Sequence, residues 1–242
     1  MPLPTLKDQR LVIVGGSSGI GYAVAECALA EGARVVIGSS NKEKVNAAVA
    51  RLGASASGSA VDVREEASVA AFFELVGEID HLIFTAGDWG SHLAPSPLDK
   101  LSASLATEGL KVRFFGPLLG IKHAQAHLSP KGSITLTDGL LAHHPQKGAP
   151  LTAALAGAIE HLARGLAADL APIRVNTVCP GLILTEHVTN QWPAEMIRAA
   201  TERQPLPRAG DPAEVAQAYL YLMRCGYVTG QVIIVDGGAM LT

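Results

Sequence analysis

Leu11-Val-Ile-Val-Gly15-Gly-Ser-Ser-Gly19-Ile-Gly21 decides how the chain is read. Four apolar residues run straight into glycines. A short, continuous apolar run fits a strand buried on both faces, as in a parallel sheet. Ile20, Val24, Cys27 and Leu29 then mark a helix over 19–30, which Gly32 ends. A strand that turns at once into a helix needs glycine for the bend and for close approach. The turn aims free backbone N–H groups at an anion such as a pyrophosphate.

Working outward, apolar runs predict further strands at 34–37, 58–63, 81–84, 133–136, 173–178 and 232–235. Helical periodicity predicts helices at 42–52, 65–76 and 151–170, with a shorter one at 194–203. A long helix is expected from about 98 to 128, bent near Gly116-Pro117. The helix over 211–224 has Asp211 as its N-cap and Pro212 at its first position. Residues 88–97, 138–150 and much of 180–207 read as loops. Strands alternating with helices imply an α/β fold: a Rossmann-type, doubly wound parallel sheet of about seven strands in an α/β/α sandwich. No linker divides the chain, so one dinucleotide-binding domain over 1–242 is expected.

Bulk properties narrow the function. The chain has 242 residues, 48% of them hydrophobic, and a formal charge of -3. No basic face is implied, which argues against nucleic acid. No apolar run approaches the roughly 18 residues of a membrane span, and Met1-Pro-Leu-Pro-Thr-Leu-Lys7 lacks a signal peptide's apolar stretch. Cys27, Cys179 and Cys225 show neither metal-ligand spacing nor a disulfide framework. A reduced, cytoplasmic protein with no metal site is expected.

The chain resembles the short-chain dehydrogenase/reductase family. Four features in order carry the resemblance: the turn Gly15-x-x-x-Gly19-x-Gly21, Asp62-Val63, Ala86-Gly87, and Pro180-Gly-Leu-Ile183-Leu-Thr185. The closing Val228-Thr-Gly-Gln-Val-Ile-Ile-Val-Asp-Gly-Gly238 fits as well. The resemblance implies that Gly15, Ser17, Ser18, Gly19, Ile20 and Gly21 cradle the pyrophosphate. It places Asp62 and Val63 at the adenine. Ala86 and Gly87 match the end of the family's Asn-Asn-Ala-Gly, with Phe84 and Thr85 replacing the asparagines. Pro180, Gly181, Ile183 and Thr185 clasp the nicotinamide amide. After the second strand stand Ser39, Ser40, Asn41 and Lys42, with no acid to repel a 2′-phosphate. NADP(H) is favoured and NAD(H) is possible. A small-molecule substrate and a homo-oligomer, dimer or tetramer, are also implied.

The family's catalytic residues are missing. No tyrosine lies between Tyr22 and Tyr219, and no lysine follows Lys147. Alignment puts Thr152 at the tyrosine place and Ala156 at the lysine place; a one-residue slip gives Leu151 and Leu155. Asp138 or Gly139 takes the serine's place and Arg113 the asparagine's. Thr152 cannot act as a general base near neutral pH. Arg113 cannot release its proton, though it could polarise a carbonyl or hold an anion. Asp138 could be a base or the counter-ion of Arg113, and the ion pair is the favoured reading. His92, His143, His144, His187 and Lys147 stand in loops that could reach a substrate. His123 and His127, four apart on one helix, are read as a helix face, not a metal site. The expected activity is atypical NADP(H)-dependent carbonyl/alcohol hydride transfer. The alternatives are a cofactor-binding sensor or scaffold without turnover, and non-redox chemistry in the same pocket.

Overall fold

The computed structural model describes residues 4–87 and 97–242. Its seven strands are β1 (Arg10–Val14), β2 (Arg34–Ser39), β3 (Ala56–Ala60), β4 (Ile79–Phe84), β5 (Leu128–Thr137), β6 (Arg174–Pro180) and β7 (Val232–Val235). They form one sheet in the order β3-β2-β1-β4-β5-β6-β7, and every pairing is parallel. The order reverses between β1 and β4. In such sheets the ligand crevice opens at the strands' C-terminal ends beside that reversal.

Central β1 explains why its sequence is apolar throughout: Leu11, Val12, Ile13 and Val14 are all at most 1% exposed. Alternate side chains face opposite layers. Leu11 and Ile13 join a core with Val24 and Ala28 of α1 (Gly19–Ala30) and Val215, Tyr219 and Leu222 of α9 (Pro212–Arg224). Val12 and Val14 join a second core. It holds Phe72 and Phe73 of α3 (Glu66–Val76), Ile121 of α5 (Gly116–Ala124) and Ile159 of α6 (Pro150–Asp169). The Arg174 guanidinium, 8% exposed, donates to the Leu222 and Met223 carbonyls at 2.6 and 2.9 Å, satisfying the last turn of α9.

The helix α2 (Lys42–Leu52) and the strand β7 match their sequence expectations residue for residue. At α9, Asp211 and Glu214 form a full capping box. Three expectations need correction. The third strand lies earlier than 58–63: the chain leaves β3 at Ala60 and is bent at Asp62, whose N–H donates to Ser68 Oγ. The long helix is broken. A 3₁₀ turn at Leu98–Lys100 precedes α4 (Ala103–Leu110), and a π turn over Lys111–Phe115 links α4 to α5. Pro117 has no N–H for the Arg113 carbonyl, so Gly116 N–H bonds back to Lys111 O, five residues away. In the loop after β6, α7 (Glu186–Gln191) was not foreseen; it precedes the expected α8 (Ala194–Thr201). The irregular stretch expected at 88–97 falls, but for Pro97, outside the described residues, as does His92.

Candidate active site

The glycine turn is built by close packing. Gly15 has φ +97°, and a Cβ there would stand 2.4 Å from Ala86 N. A Cβ on Gly21 would meet Gly15 O and Thr85 Oγ1 at 2.4 Å. Thr85 Oγ1 donates to Gly15 O at 3.2 Å, so the residue in an asparagine's place ties the end of β4 to the turn. Ser18 precedes α1 in extended conformation without a side-chain cap bond, and no acid stands in the helix's first turn. The first N–H groups of α1 are therefore open to an anion. Thr185 closes the other wall: its Cγ2 would stand 3.1 Å from a Cβ on Gly19. Thr185 also caps α7, accepting from Val188 N at 3.4 Å. Gly181 follows β6 against Asp236, and Ile183 is buried.

Ser39 ends β2, and Ser40, Asn41 and Lys42 are exposed beyond it. Asn41 is partly committed, because its Oδ1 caps α2 by accepting from Lys44 N at 2.8 Å. Asp62 is held by a residue the sequence reading passed over. Arg64 Nε reaches Oδ1 at 2.9 Å and its Nη2 reaches Oδ2 at 2.6 Å. Those bonds hold the Asp62 carboxyl below its ordinary range. Val63 is buried against Gly116.

Arg113 and Asp138 do not form the expected ion pair. Among the ion pairs of the described residues, none within 4.0 Å joins these two. The π turn carries the Arg113 guanidinium to Gly87, with Nη2 2.9 Å from where a Cβ would stand. Asp138 lies one residue beyond β5 and is only 1% exposed. What its carboxyl faces is Glu160 of α6, itself 4% exposed. Burial first, then that second carboxyl, push Asp138 up to about 9. Neither Asp138 oxygen has a conventional donor except the weak Cys179 thiol. Two facing carboxyl groups can hydrogen-bond only when one carries a proton.

Two more groups complete the cluster. His143 Nε2 lies 2.5 Å from Glu160 Oε1, and Arg164 Nη2 lies 3.5 Å from Oε2. Donor atoms of Asp138, His143 and Cys179 lie within 4.8 Å of one another. Burial raises the Cys179 thiol, and so does the neighbouring Asp138. Thr152 and Glu160 share the buried face of α6 with Ala156, four residues from each. That spacing was the signal in the sequence for Glu160.

The other loop candidates are not drawn in. His144 and Lys147 are exposed, and His187 meets Gln191 Nε2 at 3.3 Å on the surface. His123 Nε2 contacts Glu66 at 3.1 Å. Among the described residues no helix is long and apolar enough to cross a membrane.

Comparison with known proteins is consistent with this geometry. A family model described as enoyl-(acyl carrier protein) reductase matches residues 14–240. ATR9 of Stachybotrys chlorohalonatus, named as a short-chain dehydrogenase/reductase, is 36% identical over 99% of this chain and all of its own. The MalC Reductase/Diels-Alderase from Malbranchea aurantiaca superposes with TM-score 0.91 at 31% identity, covering 98% of both chains. A small-chain dehydrogenase solved in complex with NADPH gives TM-score 0.81 at 32% identity, over 98% of this chain and 100% of that one.

Proposed function

The chain belongs to the short-chain dehydrogenase/reductase family, and from that membership we propose an NADP(H)-dependent oxidoreductase that reduces a small-molecule carbonyl with Asp138 as its acid. The residues fit the dinucleotide: the glycine turn is close-packed, the first turn of α1 is open to a diphosphate, and Thr185 faces Gly19. The relative solved with NADPH favours the phosphorylated cofactor. Ser39, Ser40, Asn41 and Lys42 would hold its 2′-phosphate, and Thr185 its carboxamide. When bound, the reduced nicotinamide supplies a hydride. Arg113, beside Gly87, polarises the carbonyl oxygen. Asp138 gives that oxygen its proton. Thr152 stands in the tyrosine's place on the same buried helix face.

One observation carries this reading: at the serine's place stands a carboxyl only 1% exposed that faces the buried Glu160, and burial raises its pKa well above the usual carboxylate range. It holds a proton at neutral pH, as the missing phenol would. The test is reduction of a panel of α-diketones, quinones and activated ketones with NADPH, followed by loss of nicotinamide absorbance. Turnover that falls in Asp138→Asn and Arg113→Ala supports the proposal. Failure to bind NADPH or NADH would sink it.

A second reading has its own support. A protonated carboxyl and a guanidinium can activate a carbonyl with no hydride at all, and the MalC relative is named as both reductase and Diels-Alderase. Turnover that persists with NADP⁺ alone favours non-redox chemistry. Tight cofactor binding without turnover on any substrate favours a sensor. One domain over 1–242, a homotetramer and a cytoplasmic location complete the proposal.

A further inference from the structure

We propose that Glu160 and His143 form a proton relay that recharges Asp138 from solvent. The inference rests on the reading of Asp138 as the acid. Asp138 is 1% exposed, so with a substrate seated against it the carboxyl has no open path to bulk water. Each turnover removes its proton, which must come back through neighbouring groups.

One path is built for that. Asp138 faces Glu160, and donor atoms of Asp138 and His143 lie within 4.8 Å of each other. Glu160 Oε1 lies 2.5 Å from His143 Nε2, and the His143 side chain is 27% exposed. The histidine contact is not aligned as a hydrogen bond. Rotation of the half-exposed ring supplies the alignment. The other groups facing the pair are poor carriers. Cys179 from β6 and Tyr219 from α9 are buried, and burial raises both. Arg164, from the same helix as Glu160, cannot release its proton.

The balance is simple. The carboxyl pair holds one proton at rest. When the carbonyl carbon takes a hydride from NADPH, its oxygen takes that proton, giving the alcohol and NADP⁺. The pair is left doubly anionic. A proton passes through the His143 ring to Glu160, and water supplies its replacement. A protein lacking the lysine that usually sits beside the acid thus refills it through a carboxylate and an imidazole.

The test is infrared difference spectroscopy on the whole protein, needing no substrate. The C=O band of the protonated carboxyl is assigned by its loss in Asp138→Asn. On rapid mixing with D₂O, its shift times exchange of the buried proton. His143→Gln is expected to slow that exchange by about tenfold or more. Glu160→Gln removes the facing carboxylate, so the band is lost at a lower pH than in the parent. Exchange at the parental rate in His143→Gln would overturn the relay, even if NADPH-dependent turnover is intact. Stoichiometric divalent metal in the purified protein would also overturn it, because a cation would take the proton's place. Absence of turnover with normal, His143-dependent exchange would instead count against the reductase reading alone.

Discussion

Asp138 shows how much one side chain's surroundings decide. In water it is an ordinary acid; behind Glu160 and Cys179 it keeps its proton up to about pH 9. Above the ordinary carboxylate range the folded state therefore holds a proton that the unfolded chain has lost. Stability must fall as pH rises through that region, by at most about 1.4 kcal/mol per unit. Asp138→Asn is expected to flatten that slope in urea titrations at pH 6 to 9 and to lower turnover by about 10²-fold or more. His81 has the opposite sign. Buried between Ser133 Oγ and Gln9 Oε1, each 2.8 Å away, it is lowered by burial to about 4. Its contribution is complete above about pH 6.5 and is lost as pH falls toward 4, up to about 3 kcal/mol. His81→Gln should reduce that acid-side loss. Gly21→Ala would drive a methyl into Gly15 O and Thr85 Oγ1. Loss of NADPH binding is the expected result, at a stability cost of about 1–3 kcal/mol.

Helices and strands were legible where one period of apolar residues settles the question. That is why α1, α2 and β7 match and the central strands nearly do. The edge strand β3 did not, because Ala56-Ser-Gly-Ser-Ala60 carries almost no apolar signal while Val61 and Val63 beyond it do. The π turn was invisible for another reason. Gly116-Pro117 signals a disturbance in a helix, but not whether it bends, breaks or takes an extra residue. The site divides the same way. The residues proposed for the cofactor lie in short local motifs, whereas the Asp138–Glu160 pair exists only once α6 packs beside the end of β5. The ion pair expected for Arg113 failed because a guanidinium follows its helix, and the π turn sends it to Gly87. Packing between α5 and β4 offers a clean test. A Cβ on Gly120 would stand within bonding range of the Phe84 ring, which fills an asparagine's place. Gly120→Ala should cost about 1–3 kcal/mol in urea unfolding, and most of that should return in the Phe84→Leu background.

Taken whole, the molecule brings the walls proposed for its cofactor from distant parts of the sequence: Gly19 from the first helix and Thr185 from the segment after β6. A ligand spanning them binds only the folded form. NADPH at a hundred times its dissociation constant should add about 2.7 kcal/mol, read as a raised melting temperature, with a smaller rise for NADH at equal concentration. The packing of α1 against α9 carries a consequence for the order in which the protein is made. The helix at 19–30 emerges early from the ribosome, but Val24 and Ala28 wait for Val215, Tyr219 and Leu222. Until α9 is made, the part of that face turned toward it has no mate, so the nascent chain needs shielding until residues 212–224 emerge. Chains released before residue 212 should bind chaperones and fail to retain NADPH.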